Sequence, residues 1–338
     1  MLITKKELEK IDSEKMFDIY DQWPELATES FNNQDRFEIE IPINHIVFAG
    51  MGGSGALGDI FAAILSKTSI HVTVVKGYHL PTTVNENTLI VTTSISGNTD
   101  ETLNVLDEAC KNNHKIIAFC SGGKMEKYCK ENNLQFRKIP QIHSPRASFI
   151  SFLFAMIKNL ECIIQIKKED VFESIEKLKE LREKISSNNL NNNNPSLDLA
   201  NSITKIPLIY YPWGLQSAAI RFKNCLQENS KLHAISEDVI EACHNGVVAW
   251  SRPSNIQPIL LRGQDDFLKT SERYDILKEF FQTNKIDFIE IYSVKGSILS
   301  KLINLIYLLD YATIYRSVIM KIDPSPVKAI DFIKKELD

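Results

Sequence analysis

An apolar run, His45-Ile-Val-Phe-Ala-Gly50, empties into a glycine-rich turn, and the turn opens a helical stretch over Gly55–Ser66. Such a run, closed by glycines, reads as a strand buried on both faces. Three more follow at Ile70–Val75, Thr88–Thr93 and Lys115–Phe119, with helical patterns at Asp100–Lys111 and Lys124–Asn132. Parallel strands need a crossover between them, so this alternation implies a parallel sheet with helices on both faces. The alternation resumes later. Strands are predicted at Ile206–Tyr211, Gln257–Leu261 and Ile286–Tyr292, and helices ending near Asn229 and over Asp266–Thr283 and Ser297–Ser317. A last helix, Pro326–Leu337, begins with proline in its first turn, where the missing N–H costs nothing.

With 338 residues the chain exceeds one small core and divides into about two domains. Residues 1–40 read as a helical lead-in pinned by Trp23 and Phe31, and 41–166 as a first α/β domain. Residues 167–204 hold a charged amphipathic helix and the tract SSNNLNNNNPSLD, expected as a surface loop or linker because asparagine tracts bury no core. A second α/β domain is expected over 205–322 and a C-terminal helix over 323–338. The fold class is α/β: two domains, each a mostly parallel sheet flanked by helices in the Rossmann/flavodoxin manner.

Charge narrows the partners. Lys and Arg number 39 against 43 Asp and Glu, a net charge of −4 without a basic block. That argues against nucleic acid or an anionic membrane as the main partner, yet leaves room for a small anion. No uninterrupted apolar run approaches the roughly 20 residues of a membrane span, and the charged N-terminus lacks a signal-peptide pattern. The six cysteines form no CxxC and no cluster with histidine at ligand spacing. They read as reduced thiols of a cytoplasmic protein without a metal site.

Two loops carry the chemistry. Gly50, Gly52 and Gly55 form GxGxxG between a strand and a helix, the spacing of a dinucleotide fingerprint. A ribose-binding acid is wanted at the end of the next strand, and Lys76 stands there instead. The remaining readings are a packing turn, or an anion site in which Gly53 and Ser54 present an amide and a hydroxyl at a helix N-terminus. The second loop, Thr93-Ser94-Ile95-Ser96-Gly97-Asn98-Thr99, sets three hydroxyls (Ser94, Ser96 and Thr99) about a glycine. Thr99 is a natural N-cap, but capping needs only one such residue, and three suit the oxygens of a phosphate monoester.

Four other residues stand out, each with two readings. Glu228 continues a stripe of Ala218, Phe222 and Cys225, so it is either a partly desolvated base or a surface glutamate beside Lys231. His244, before Asn245-Gly246, is a proton relay or a buried structural histidine. Arg146 follows Pro145 and either faces an anionic intermediate or caps the next helix from the surface. Lys334 lies with Val327, Ile330 and Leu337 and either snorkels along that stripe or reaches a site.

GMGGSG and SISGNT, about 40 residues apart, resemble the sugar isomerase (SIS) domain. More narrowly, the chain resembles the bifunctional phosphoglucose/phosphomannose isomerases, from about residue 40 onward. Four further segments support this: Ser144-Pro-Arg146-Ala, Arg221 to Lys231, Glu241-Ala-Cys-His244-Asn245, and Asp323-Pro-Ser-Pro326-Val327. The resemblance implies exchange of glucose 6-phosphate or mannose 6-phosphate with fructose 6-phosphate through a cis-enediol, without a cofactor. It makes Gly53, Ser54, Ser94, Ser96 and Thr99 the phosphate site, Glu228 the base and Arg146 the support for enediolate charge. It gives ring opening to His244 and Lys334, with Lys328 and Lys335 near the latter. It also implies a homodimer in which His244 crosses to the neighbouring site. Gln227 stands where the family commonly has asparagine, Ile95 where it often has tyrosine, and Val327 where bifunctional members are expected to have threonine, which bears on the choice between glucose and mannose. The alternatives are a non-catalytic SIS-type sugar-phosphate sensor and an aminosugar-phosphate isomerase.

Overall fold

The structure, a computed structural model, describes residues 3–33, 37–39 and 42–337. The ends of the expected 1–40 and 323–338 segments, and residue 41, therefore fall partly outside it. Packing divides the chain into two units. One comprises Gln22–Leu178 with Gly296–Leu302, and the other the residues up to Asp21, Lys179–Lys295 and those from Ile303 on. The divisions fall inside helices Lys168–Ile185 and Ile298–Ile319 rather than in the asparagine tract.

The first unit holds five parallel strands, β1 (His45–Ala49), β2 (His71–Val75), β3 (Thr88–Ser94), β4 (Lys115–Cys120) and β5 (Gln135–Lys138), in the order β2-β1-β3-β4-β5. β1 and β3 are buried throughout, as central strands covered on both faces must be. Successive side chains leave opposite faces. Val47 and Ala49 join Ile90, Ala118, Val105 and Leu106 in one core cluster, while Phe48 stacks on Phe61 with ring centroids 4.8 Å apart. β5 escapes the sequence reading because it is an edge strand of four half-solvated residues, Gln-Phe-Arg-Lys, without an apolar run.

The second unit repeats the plan with β6 (Ile206–Tyr211), β7 (Ile235–Asp238), β8 (Ile256–Arg262) and β9 (Ile289–Tyr292), all parallel, in the order β7-β6-β8-β9. β6 and β8 take the places of β1 and β3, which gives the expected duplication a topological form. β7 was not anticipated, and like β5 it is a short polar edge strand.

One expectation needs correction. The asparagine tract is more than a solvent-exposed linker. Asn191, Asn192 and Asn193 are exposed, but Asn194 is fully buried. It caps helix Pro195–Ser202 by accepting from Leu197 N at 2.9 Å, and its amide donates to the carbonyls of Ile185 and Asn189. The tract thus closes a turn between two helices, which sequence composition hides. No uninterrupted apolar run of membrane-span length is found, although one helix, interrupted by Lys301, Asp310 and Arg316, comes close to such a run. Helix Ile298–Ile319, 22 residues, is long and apolar enough to cross a membrane by length and composition. Yet 83% of its apolar window is buried, and its polar side chains are used inside the fold. Tyr307 donates to Tyr20 O, Tyr311 to Asp21, and Tyr315 to Ile185 O, each at 2.6 Å. Buried Arg221 meets Asp310 of this helix at 2.6 Å. It is a core helix. The lead-in folds as helices Lys5–Ile11, Met16–Asp21 and Trp23–Asn32, with Trp23 and Phe31 buried as expected.

Candidate active site

In a parallel sheet the chain leaves β1 toward one side and β3 toward the other. The crevice between their C-terminal ends is the place where such folds bind ligands. Both chemistry-bearing loops open there. After β1 the chain enters helix Gly52–Leu65 at Gly52, three residues before the expected start, so Gly53 and Ser54 lie in its first turn. Met51 occupies the cap position and offers no side-chain cap. Ser54 is nearly buried, and its Oγ accepts from Ile95 N at 3.1 Å. It therefore latches the first loop to the second.

The second loop departs from simple capping. Thr99 does stand at the N-cap of helix Asp100–Lys111, but its side chain makes no capping bond. Its Oγ1 lies 3.0 Å from Ser94 Oγ instead. Ser94 is fully buried and Ser96 half-buried, with Ser96 Oγ accepting from Asn98 N at 3.3 Å. The hydroxyls are thus gathered about the loop, beside the first amides of the helix, where an anion is favoured. Asp100 in the first turn would oppose an anion, but its exposed carboxylate lies 3.6 Å from Lys124 Nζ.

This loop is rigid for a reason the sequence reading missed. Gly97 has φ +73°, and a Cβ there would lie 1.8 Å from Gly122 O. Only glycine admits both the backbone twist and that approach. The loop after β4 then braces it. Ser121 N donates to Ile95 O, Met125 N to Gly97 O at 2.9 Å, and Lys124 N to Asn98 Oδ1 at 3.0 Å. Asn98 and the Gly122-Gly123 pair hold the hydroxyls in place, and the only sequence signal for this was the Gly-Asn and Gly-Gly turn chemistry itself.

Arg146 belongs to the same unit and is 5% exposed, which sets aside its surface-capping reading. A Cβ on Gly53 would sit 3.6 Å from Pro145 O and 3.9 Å from Arg146 Cα, so the Pro145-Arg146 backbone packs over the first turn of the glycine loop's helix. Its turn is fastened by buried Ser148, whose Oγ donates to the carbonyls of Ile142 and Ser144 at 2.9 Å. Lys76, the residue that displaced the nucleotide reading, pairs with Asp59 at 2.6 Å.

In the second unit, Glu228 lies half-buried in the last turn of helix Gln216–Asn229, where Ala218, Phe222 and Cys225 form a buried stripe. Lys231, at φ +54°, donates from Nζ to the main-chain carbonyls of Glu228 and Pro324. It ties the end of that helix to the start of the tail. His244 is exposed, which overturns its reading as a buried structural residue. It follows helix Val239–Ala242, whose cap Asp238 accepts from Ile240 N and Glu241 N. Nearby Glu237 packs on Gly246, and its carboxyl pKa is pushed up by burial and then by the charges of Glu241 and Asp238. Lys334 lies on helix Lys328–Leu337, which has no buried residue. Snorkelling is thereby excluded, because Ile330, Ile333 and Leu337 are themselves exposed. The structure brings Gly53, Ser54, Ser94, Ser96, Thr99 and Arg146 together in the first unit, and Glu228, His244 and Lys334 belong to the second. Among the described residues no three His, Cys, Asp or Glu side chains form a metal-binding group.

Comparison with known proteins follows the same division. Residues 41–164 match the family described as SIS domain, and residues 192–337 the bacterial phospho-glucose isomerase C-terminal SIS domain. A bifunctional phosphoglucose/phosphomannose isomerase of Caldicellulosiruptor bescii is 32% identical over 306 residues, covering 87% of this chain and 90% of that protein. One from Aquifex aeolicus is 31% identical, covering 92% and 97%. A D-glucosamine-6-phosphate 4-epimerase of Sulfolobus acidocaldarius is 28% identical, covering 73% and 77%. Among solved structures, a hypothetical protein from Thermus thermophilus superposes with a TM-score of 0.70 at 12% identity, covering 98% of this chain and 88% of that one, a likeness of fold.

Proposed function

The chain belongs to the bifunctional phosphoglucose/phosphomannose isomerase family, and from that premise we propose that it interconverts glucose 6-phosphate and mannose 6-phosphate with fructose 6-phosphate. The reaction is redox-neutral. A proton leaves C2 of the open-chain aldose, a cis-enediol forms, and a proton returns at C1, so no external oxidant enters. The phosphate is held by the hydroxyls of Ser94, Ser96 and Thr99, with Ser54 and the Gly53 amide at the first helix N-terminus. Glu228 moves the proton, and its half-buried position in an otherwise buried stripe supports the part. Arg146, a cation already withdrawn from water, offsets the enediolate charge. His244 and Lys334 open the ring. Their exposure on this chain accords with His244 acting in the site of a second copy, in a cytoplasmic homodimer.

One observation carries this reading. Thr99 occupies a helix cap yet turns its hydroxyl to Ser94, which leaves the hydroxyl cluster and the helix amides for a ligand. The test is to incubate the purified protein separately with glucose 6-phosphate and mannose 6-phosphate and to assay fructose 6-phosphate. Product from both supports the proposal. Product from neither, with the phosphate ester still bound, leaves a sugar-phosphate sensor.

A further inference from the structure

The second sheet repeats the first one's loop as well as its strand order. Ser94 ends β3, residues 95–99 follow, and a helix begins at Asp100. Arg262 ends β8, residues 263–267 follow, and helix Leu268–Thr283 begins. Ser94 pairs in register with Cys120 at the end of β4, and Arg262 with Tyr292 at the end of β9. In neither loop does the N-cap side chain satisfy the helix amides: Thr99 could and does not, and Phe267 has no group to do so. Each loop has a glycine whose missing Cβ admits an oxygen, the Gly122 carbonyl at Gly97 and a carboxylate at Gly263. Gly263 N donates to Asp266 Oδ1 at 3.0 Å and Oδ2 at 3.1 Å, and a Cβ on Gly263 would lie 2.6 Å from Oδ1.

Arg262 supplies an independent sign. It is 4% exposed, and its Nη1 and Nη2 are engaged by Asp275, Glu290 and Ser271. Tyr274 and Tyr292 rings lie 4.9 and 5.3 Å from its guanidinium carbon, and Lys278 meets Glu290 at 3.0 Å. Its Nε–H, however, is buried without a hydrogen-bond partner among the described residues, and stands 4.0 Å from Asp266 Oδ2. Arg262 Nε is thus a buried donor that the Asp266 carboxylate approaches as an ion pair without accepting a hydrogen bond from it. Tetrahedral oxyanions, with more oxygens than a carboxylate, reach farther from one centre.

We propose that the Arg262–Phe267 loop is a second oxyanion pocket of the phosphate type, and that Asp266 is its built-in occupant. The chain therefore takes one phosphate ester, at the first sheet, and keeps the pocket of the second sheet closed with its own acid. This inference does not depend on turnover of any hexose phosphate.

Amide NMR of the full chain titrated with inorganic phosphate tests it. Gly263 N–H should stay unmoved in the unaltered chain and show a saturable shift in Asp266→Ser and Asp266→Gly. Removing a like charge from the pocket should tighten binding there at least about tenfold. The amides of Gly97 and Thr99 report the first loop separately, so failure of the proposed function leaves this result readable. A phosphate shift at Gly263 in the unaltered chain shows that Asp266 is not the occupant. No shift in either folded variant shows that the loop is not an oxyanion pocket. A second measurement needs no phosphate and covers a variant that folds poorly. Gly263→Ala should destabilise the chain, and adding Asp266→Ser should recover most of the loss, because the new methyl takes the vacated space. A double variant no more stable than Gly263→Ala overturns the assignment.

Discussion

Glu228 shows how a residue is placed by its neighbours' burial. The helix face that carries Ala218, Phe222 and Cys225 into the core reaches solvent only at its last turn, so the carboxylate is neither sealed nor free. Glu228→Gln preserves that packing and removes only the proton acceptor. Its kcat should fall by about 10²–10⁴, with hexose-phosphate affinity kept. Asp12 illustrates the opposite use of an acid. It is fully buried, Oδ2 accepts from Phe17 N at 2.9 Å, and Oδ1 has no hydrogen-bond partner among the described residues. Burial, aided by Asp323 and Asp18, pushes its pKa up to about 6, against the lowering effect of the Phe17 and Met16 amides. The folded state thus holds this proton more tightly than the unfolded chain. Its contribution is complete below about pH 4, declines as pH rises toward about 6, and is flat above. Urea melts at pH 4 and pH 7 should show a loss of about 2–3 kcal/mol from this group, and Asp12→Asn should abolish that slope.

At the scale of elements, the hydroxyl loop depends on a contact with a neighbouring loop. Gly97→Ala demands both a left-handed alanine and displacement of Gly122 O. We expect a loss of about 2–3 kcal/mol in thermal or urea melts, and a KM rise that exceeds any change in kcat, because phosphate anchoring serves ground state and transition state alike. A KM unchanged in folded Gly97→Ala would show that the loop does not hold the substrate. The central strands and both loops were legible in the sequence because each pairs an unbroken apolar run with glycine or hydroxyl residues at its end. β5 and β7 were not, since an edge strand needs only half its surface covered and can be built from Gln, Arg, Glu and Asp. Asn194 was hidden for a related reason. Nothing in a string of asparagines distinguishes the one that caps a helix inside the core from three that face water. Arg146 was legible as a fixed loop cation, but its burial depends on the Ser148-fastened turn, whose hydrogen bonds are not a sequence pattern.

For the whole molecule, the proposed exchange of His244 between copies has a direct consequence. Glu228→Gln and His244→Gln should each be nearly inactive alone. Mixed in equal amounts and allowed to exchange, half the dimers pair one variant with the other, and each such dimer rebuilds one intact site. Activity should return to about a quarter of the unaltered level if assembly is random. No recovery after verified subunit exchange would place His244 and Glu228 on the same chain within a site.

The helices up to Asp21 leave the ribosome long before the residues that complete them. Tyr20 O receives the Tyr307 hydroxyl across 287 positions, and Asp21 waits equally for Tyr311. Buried Phe17, Tyr20 and Asp12 must therefore remain uncovered until helix Ile298–Ile319 has been made. The helices up to Asp21 are a stretch that a nascent-chain chaperone would meet with its apolar surface bare, while the Gln22–Leu178 portion lacks only the short Gly296–Leu302 piece to be whole.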